Sequence, residues 1–535
     1  MRRALVPLLL ASLVAARAGD PPTSLEEIPE EPLPYLSAVQ PSPTDWRDES
    51  IYFVFTDRFS NGDPANDRRG HSNFDLADPR GCHGGDWKGI EKKLDYIAGL
   101  GATAIWVTPV LQNWRAYHGY ATCNFLELEP RLGGLEDFRS LVEAAHKKGI
   151  RVIADIVCNH EADLIYYKDG TTEYRESGHE AGFYAKDKGE RVLPIPVEFQ
   201  DLSFFHNFGN IDRWDDLDAK PSHSQTGDFN GNDDFKTERP EVRAAMVKIY
   251  RYLIARTDVD GFRVDTVKHV ERGFWEVFCP AIRSYAAKIG KKRFFLFGEG
   301  WMGEDERVAP YTGTRGGKEF LFDGMLHFPL YYAIKDVFQD GKAPSRIAQE
   351  FEKARLYEDD ALNVTFFDNH DMPRFLHGHP EDLERLECVL GFLYAMRGIP
   401  CLYYGTEQGF KGGKDPENRE DMFERFDESH RLYARVAKLN RLRRELEPLR
   451  RGKVVPRYAE KEGPGLLAFS RVLGDDEVLV VLNTAPDAKH GKIPVEGKLA
   501  GAKLEDGLGA EVVQAGVNEV EVSLPRFGLR IYRRK

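Results

Sequence analysis

Val259-Asp-Gly-Phe-Arg-Val-Asp265-Thr-Val-Lys-His269 is followed, after one helical pattern, by Arg293-Phe-Phe-Leu-Phe-Gly-Glu299-Gly300. Two short runs of strand type, Val259 to Val264 and Arg293 to Phe297, each lead into an acid. This is a βαβ unit that carries carboxylates at the C-terminal ends of its strands. Arg263 and Asp265 stand two apart on an extended segment, so their side chains point the same way and the guanidinium can hold the carboxylate ionised. Glu299 follows an apolar, aromatic run (Phe295, Phe297), a setting that favours the protonated form. One acid kept charged and a second kept neutral is the division of labour of a two-carboxylate hydrolytic site.

Working outward, short β-rich runs alternate with helical patterns from Ile51. They are Ile51 to Thr56, Ala104 to Thr108, Arg151 to Val157, Val259 to Val264, Phe294 to Phe297, Phe320 to Met325, Val364 to Phe367 and Ile399 to Tyr404. Eight βα repeats predict an α/β fold, a closed (β/α)8 TIM barrel, with a doubly wound open sheet as the alternative. The helix before the third strand shows the signal. Leu135, Phe138, Leu141, Val142 and Ala145 recur at helical spacing, Lys147 and Lys148 fill its last turn, and Gly149 stops it.

The remaining segments divide by composition. Arg2, Arg3, the apolar run Ala4 to Val14 and Ala16-Arg17-Ala18 predict a signal peptide over 1–18, too short an apolar stretch to span a bilayer. Residues 19–45, rich in Pro and Glu, read as a flexible leader. The barrel is expected over 46–160 and 239–451, an inserted domain over 161–238 after the third strand, and an antiparallel C-terminal β-sandwich domain over 452–535, with Leu466 to Val472, Glu477 to Leu482 and Val517 to Leu524 as strands. A secreted monomer without further modules is expected. Of the six cysteines, Cys82 and Cys123 lie in loops and are the pair expected to bridge. The net charge of −13 disfavours nucleic acid and anionic membrane as partners.

Asp155-Ile-Val-Cys-Asn159-His160, Gly261-Phe-Arg263-Val-Asp265-Thr-Val-Lys268-His269, Gly298-Glu299 and Phe367-Asp-Asn369-His370-Asp371 occur in this order at the ends of the third, fourth, fifth and seventh strands. Together they resemble the four signature regions of the alpha-amylase family of glycoside hydrolases, family 13. The resemblance implies Asp265 as nucleophile, Glu299 as acid and base, and Asp371 as the third catalytic acid. It implies sugar contacts from His118, Tyr120 (an aromatic platform), His160, Arg263, Lys268, His269 and His370, with Asp155 as a buried organiser. It implies a secreted enzyme that cleaves internal α-1,4 bonds of starch, glycogen or maltodextrins by double displacement. An α-1,4-glucanotransferase is the near alternative, and a non-catalytic glucan-binding protein, which would lack one of the acids, the remote one.

A second layer of resemblance concerns calcium. The loop Thr56 to Asp67 with Cys82 to Trp87 is similar to the metal loop of cyclodextrin glucanotransferases and related amylases. It implies Ca2+ held by Asn61, Asp63, Asn66, Asp67, Gly84 and Asp86, all hard oxygen donors. A second ion is implied at Asn159, Asp234 and the His269 carbonyl. The sequence departs from the family beyond Tyr120, where Ala121 and Asn124 replace the usual Trp and Asp, and before Thr237.

Overall fold

The computed structural model describes residues 21–36, 38–187, 189 and 191–535. The predicted signal peptide lies outside the described residues. Eight parallel strands form the central sheet: Ile51–Val54, Ala104–Val107, Arg151–Ile156, Gly261–Val264, Phe295–Gly298, Gly324–Met325, Val364–Thr365 and Ile399–Tyr403. Each pairs with its sequence neighbours, the first pairs with the eighth, and a parallel bridge from Leu326 to Val364 joins the sixth to the seventh. The ring closes into a (β/α)8 barrel, so the open-sheet alternative falls. The strands carry almost no polar alternation because both their faces are buried.

Rings fill the barrel interior. Phe53 stacks on Trp106 at 3.6 Å and on Tyr403 at 5.1 Å, and Phe297 meets Trp106 edge-on at 5.7 Å. Below them Trp46 stacks on Phe295 at 4.6 Å and its indole N–H donates to the Arg293 carbonyl at 2.7 Å. This is a packed core rather than a pore, and its upper surface is the floor on which the polar site rests. Outside, the helix Gly134–Lys147 buries Phe138, Leu141, Val142 and Ala145, the face its spacing predicts.

Between the third and fourth strands the chain makes its long excursion. It carries the hairpin Ile165–Tyr167 with Ala181–Phe183 and short 3-10 turns at Val197–Gln200 and Leu202–Phe204, and Phe199, Phe205 and the bridged Phe235 pack on one another and on Phe125. At the C-terminus a six-stranded antiparallel sheet and a separate pair, Lys489–Pro494 with Glu519–Leu524, enclose their own apolar cluster. Five strands of this part, Lys453–Ala459, Lys489–Pro494, Lys503–Asp506, Val512–Gln514 and Leu529–Arg534, were not anticipated. Their charged and polar residues hide the alternation. Buried Arg471 donates to the Ala395 carbonyl at 2.5 Å and Phe469 packs on Phe351 and Phe392, which seats the sheet on the barrel.

Two expectations are corrected. The segment read as a flexible leader is fastened to the fold. The Thr23 carbonyl accepts from Val197 N–H at 2.8 Å, Ser24 donates to Glu198 at 2.6 Å, and Tyr35 N–H donates to Ala255 at 2.8 Å. The Pro32 carbonyl accepts from Tyr285 at 2.6 Å, and Gln40 lies between Asp258 and Lys291. Its prolines, which suggested looseness, instead pre-set an extended backbone that loses little entropy on docking.

The expected Cys82–Cys123 bridge does not form. All six cysteines are free and buried, Cys82 directed at the Asn73 side chain and Cys123 at the Gln112 carbonyl. Buried thiols are protonated and inert. In a thiol titration with an aromatic disulfide reagent, the native chain should therefore react slowly, and the denatured chain should release the full complement of six thiols, the number counted as free. A reducing agent should leave the melting temperature unchanged.

Candidate active site

The fourth strand ends at Val264, so Asp265 stands on the rim, and the fifth ends at Gly298, which puts Glu299 beside it. Backbone bonds from Glu299 N–H to Val264 and from Val267 N–H to Glu299, both 2.8 Å, lock the two rims together. Gly298 is required here, because a Cβ would lie 2.7 Å from Val267 and 2.8 Å from the Met325 sulfur.

Arg263 is fully buried and organises the centre. Its Nη1 donates to Asp265 Oδ1 at 2.6 Å and to Asp155 at 2.9 Å, and its Nη2 lies 3.4 Å from Glu299 Oε2. Asp155 also accepts from the Tyr120 hydroxyl at 2.7 Å and the Trp106 indole at 3.0 Å. Thr266 N–H donates to Glu299 at 3.1 Å. Burial raises the carboxyls of Asp265 and Glu299 to about 7, with Arg263 pulling both down and neighbouring acids pushing them up. The guanidinium touches Asp265 more closely than Glu299, so of the two Asp265 is the ionised one and Glu299 holds the proton.

The rest of the expected set converges on the same cleft, a cavity of about 1000 Å³. Asp371 lies on the opposite wall, 3.4 Å from both Arg419 and His370. Burial pushes Asp371 up as well, against the pull of Arg419. Tyr120 is sandwiched between His118 at 5.6 Å and His370 at 5.4 Å. His160 donates to the Tyr120 carbonyl at 3.2 Å and stacks on Phe229. Burial lowers His118 to about 3 and His160 and His269 to about 4, so the three rings are neutral hydrogen-bonding groups at ordinary pH. Lys268 is paired with Asp215 at 3.1 Å, and His269 accepts or donates at Ser224.

Several lining residues were not found from sequence. Asp415 and Arg419 pair at 3.0 Å and share the Tyr117 hydroxyl, at 2.8 and 2.7 Å respectively. They come from the loop after the eighth strand, whose only signal was its position at a strand's C-terminal end. Trp214 and Phe229 come from the insertion, and Trp301, Met302, Arg307 and Tyr332 from beyond the fifth and sixth strands. Trp301, two residues past Glu299, could have been suspected; the others are joined to the site by folding alone.

The first loop expected to hold calcium is folded around Asp86. Asp86 accepts from the backbone of Gly62, Asp63 and Gly89 at 2.9, 2.8 and 2.6 Å and from the Asn66 amide at 3.0 Å. Asn61 donates to Asp67 at 2.9 Å. The Oδ1 atoms of Asn61 and Asn66 are buried without a partner, and burial pushes the carboxyls of Asp67 and Asp86 up. Gly84, at φ +91°, runs so close that a Cβ would lie 2.6 Å from Asn61 and from Asp67. Unpartnered amide oxygens beside acids that resist ionisation fit a hard cation.

The second set fits less well. Asp234 is engaged by His206 at 2.6 Å, and His206 also meets Glu238 at 3.1 Å. Against the downward push of burial, these two acids raise His206 to about 9, so an imidazolium already supplies the positive charge. Only Asn159 Oδ1 is left open.

Residues 53–444 match the family model described as "Alpha amylase, catalytic domain". A "Beta/alpha-amylase" from Paenibacillus polymyxa is 35% identical over 499 residues, which cover 91% of this chain and 38% of that protein. The chain thus spans little more than a third of that relative's length. Among solved structures, an alpha-amylase from Anoxybacillus superposes with a TM-score of 0.76 at 31% identity, covering 92% of this chain and 99% of that one. A cyclomaltodextrin glucanotransferase described as having a three-domain ABC distribution gives a TM-score of 0.76 at 30% identity, covering 91% and 99%.

The raised carboxyls bear on stability. The folded-state value of Glu299 is about 7 against an ordinary 4.5, so the folded chain keeps a proton that the unfolded chain releases. Its contribution is fully present at acid pH and is lost as pH rises through about 7. Glu299→Gln should therefore stabilise the chain by about 1–3 kcal/mol above neutrality and by much less near pH 4. Denaturant unfolding at both pH values checks this; equal effects would contradict the buried-proton assignment.

Proposed function

Since this chain belongs to the alpha-amylase family of glycoside hydrolases, we propose that it is a retaining α-1,4-glucan hydrolase acting on internal bonds of starch, glycogen or maltodextrins. The observation that carries this reading is the single guanidinium, Arg263, which touches Asp265 at 2.6 Å and Glu299 at 3.4 Å. One guanidinium in contact with both acids supports a double displacement, in which the two carboxyl groups must lie close.

In the first step the free Oδ2 of Asp265 attacks the anomeric carbon while Glu299 gives its proton to the departing glycosidic oxygen, leaving a β-glucosyl ester. In the second, Glu299 takes a proton from water, whose oxygen replaces Asp265 on the opposite face and restores the α configuration. Asp371 and Asp265 bring negative charge to the positively charged ring in the transition state. Arg263 keeps the nucleophile ionised, Tyr120 offers the ring its face, and neutral His118, His160 and His370 meet its hydroxyls, with Lys268 and His269 further along the wall.

Asp265→Asn and Glu299→Gln should each lower starch turnover at least about 100-fold. Glu299→Gln should recover part of the loss on aryl glycosides whose leaving group needs no proton. The pH profile should fall on the alkaline side as Glu299 loses its proton, near its value of about 7. Proton NMR of the first products tests the stereochemistry: the α anomer is expected, and initial release of the β anomer would overturn the double displacement.

A specific observation also favours glucanotransfer. The solved three-domain cyclomaltodextrin glucanotransferase resembles this chain as well as the solved alpha-amylase does, each with a TM-score of 0.76 and 99% of its length covered. A sugar hydroxyl in place of water in the second step would give transfer from the same residues. Parallel product analysis on starch, cyclodextrin and pullulan separates the two.

Ca2+ is proposed at Asn61, Asp63, Asn66, Asp67, Gly84 and Asp86, where it would tie the first barrel loop together. Binding to the folded chain alone stabilises by mass action, about 2.7 kcal/mol at a hundredfold excess over Kd. A chelator should lower the melting temperature and added calcium restore it; indifference to both would remove the ion. Export is proposed from the basic and apolar pattern of residues 1–18. Among the described residues no helix is long and apolar enough to cross a membrane.

A further inference from the structure

Beyond Glu299 the chain turns sharply. Trp301 has φ +38°, a left-handed backbone that bulky residues avoid, and yet it is 41% exposed on the cleft wall. A residue held in so unfavourable a conformation must be over-determined by its surroundings, and such outliers cluster where a site needs a fixed shape. Two fastenings are visible. At the cleft, the Trp301 indole stacks on Phe328 at 5.5 Å and donates to the Tyr332 hydroxyl at 3.1 Å. Beneath it, Asp305 opens a short helix, Asp305–Val308, and accepts from His327 at 2.9 Å and from the Tyr357 hydroxyl at 2.7 Å.

The lower fastening is a buried polar knot. Asp305, His327, Tyr357 and Glu350 are each no more than 5% exposed. Against the upward push of burial, His327, Glu350 and Tyr357 hold the Asp305 carboxyl well below the usual range, while burial and Asp305 raise Glu350. Glu350 is itself paired with Arg346. His327 is in turn fixed to the barrel, its N–H donating to the Val364 carbonyl at 3.0 Å between the sixth and seventh strands. None of the four lines the cleft, whereas Trp301, Met302, Glu304 and Arg307 of the turn do.

We propose that Asp305, through His327 and Tyr357, is a positioning residue that fixes the turn from Gly300 to Arg307 as the wall for the leaving-group part of the glucan, and so sets how strongly sugars beyond the scissile bond are held. The inference rests on the assignment of Glu299 as the acid. The glycosidic oxygen it protonates belongs to the leaving chain, so that chain must run along the wall that continues from Glu299, which is this turn. The ring that reacts lies on the other side, over Tyr120 and against Asp371.

The test compares two substrates. Maltoheptaose places sugars against the turn; 4-nitrophenyl α-maltotrioside, cleaved at the aryl group, places none. For Asp305→Asn and His327→Gln, kcat/KM on maltoheptaose should fall about 10- to 100-fold, as for a misplaced binding wall, mostly through KM. On the aryl glycoside it should stay within about twofold, since that substrate presents no leaving-group sugar to the wall. Transfer to added maltose should fall with the maltoheptaose activity. Tyr357→Phe, which removes only one hydroxyl, should show a smaller split of the same sign and serves if the other variants do not fold. Equal losses on both substrates, or a lowered melting temperature with no split, would make the knot merely structural and overturn the proposal. If the wild-type chain cleaves neither substrate, the reading of Glu299 falls and this inference with it; if it cleaves both and no variant shows the split, this inference alone falls.

Discussion

A guanidinium with no exposure to water at the top of a closed barrel is the constraint from which the site follows. Arg263 cannot lose its charge, so its burial demands carboxylates, and the fold supplies Asp155 and Asp265 in direct contact with Glu299 at the edge. The aromatic stack below, Trp106 above all, gives the guanidinium a flat apolar bed 5.2 Å away. Too little positive charge is then present for the acids gathered there, and the shortage itself keeps a proton on one of them. The asymmetry between nucleophile and acid is thus a matter of which carboxylate lies nearer one nitrogen.

The same logic, inverted, runs through the periphery. Where the insertion meets the barrel, His206 is positive because Asp234 and Glu238 surround it. Where the C-terminal sheet meets the barrel, Arg443 donates to the carbonyls of Tyr394, Met396, Gly398 and Leu449 without a carboxylate, and burial pushes its own charge down to about 9. Charges that hold parts together find their partners within the fold. Those that face the cleft are left one partner short, which is the space a substrate occupies.

Much of this was legible in the chain. Eight β-rich runs at regular intervals gave the barrel, because a strand buried on both faces must be apolar throughout, and acids just beyond such runs stood out against them. Arg263 and Asp265 could be paired on paper since alternate residues of a strand share a face. Asp415, Arg419 and Trp214 could not, because they reach the cleft from loops whose course is set by tertiary contacts. The leader was misread because proline marks both a loose linker and a docked extended strap, and only the partners distinguish them. The cysteines misled because a loop position does not place two thiols within bonding distance.

That strap ties the order of synthesis to the order of folding. Ser24 finds Glu198 174 residues later in the chain, Gln40 finds Asp258 218 residues later, and Pro32 finds Tyr285 253 residues later. Every one of these contacts closes a long loop, so none can form while the chain is short, and each adds to the search that slows folding of high-contact-order topologies. The strap is therefore among the last segments to settle, and it closes over a barrel that has already formed.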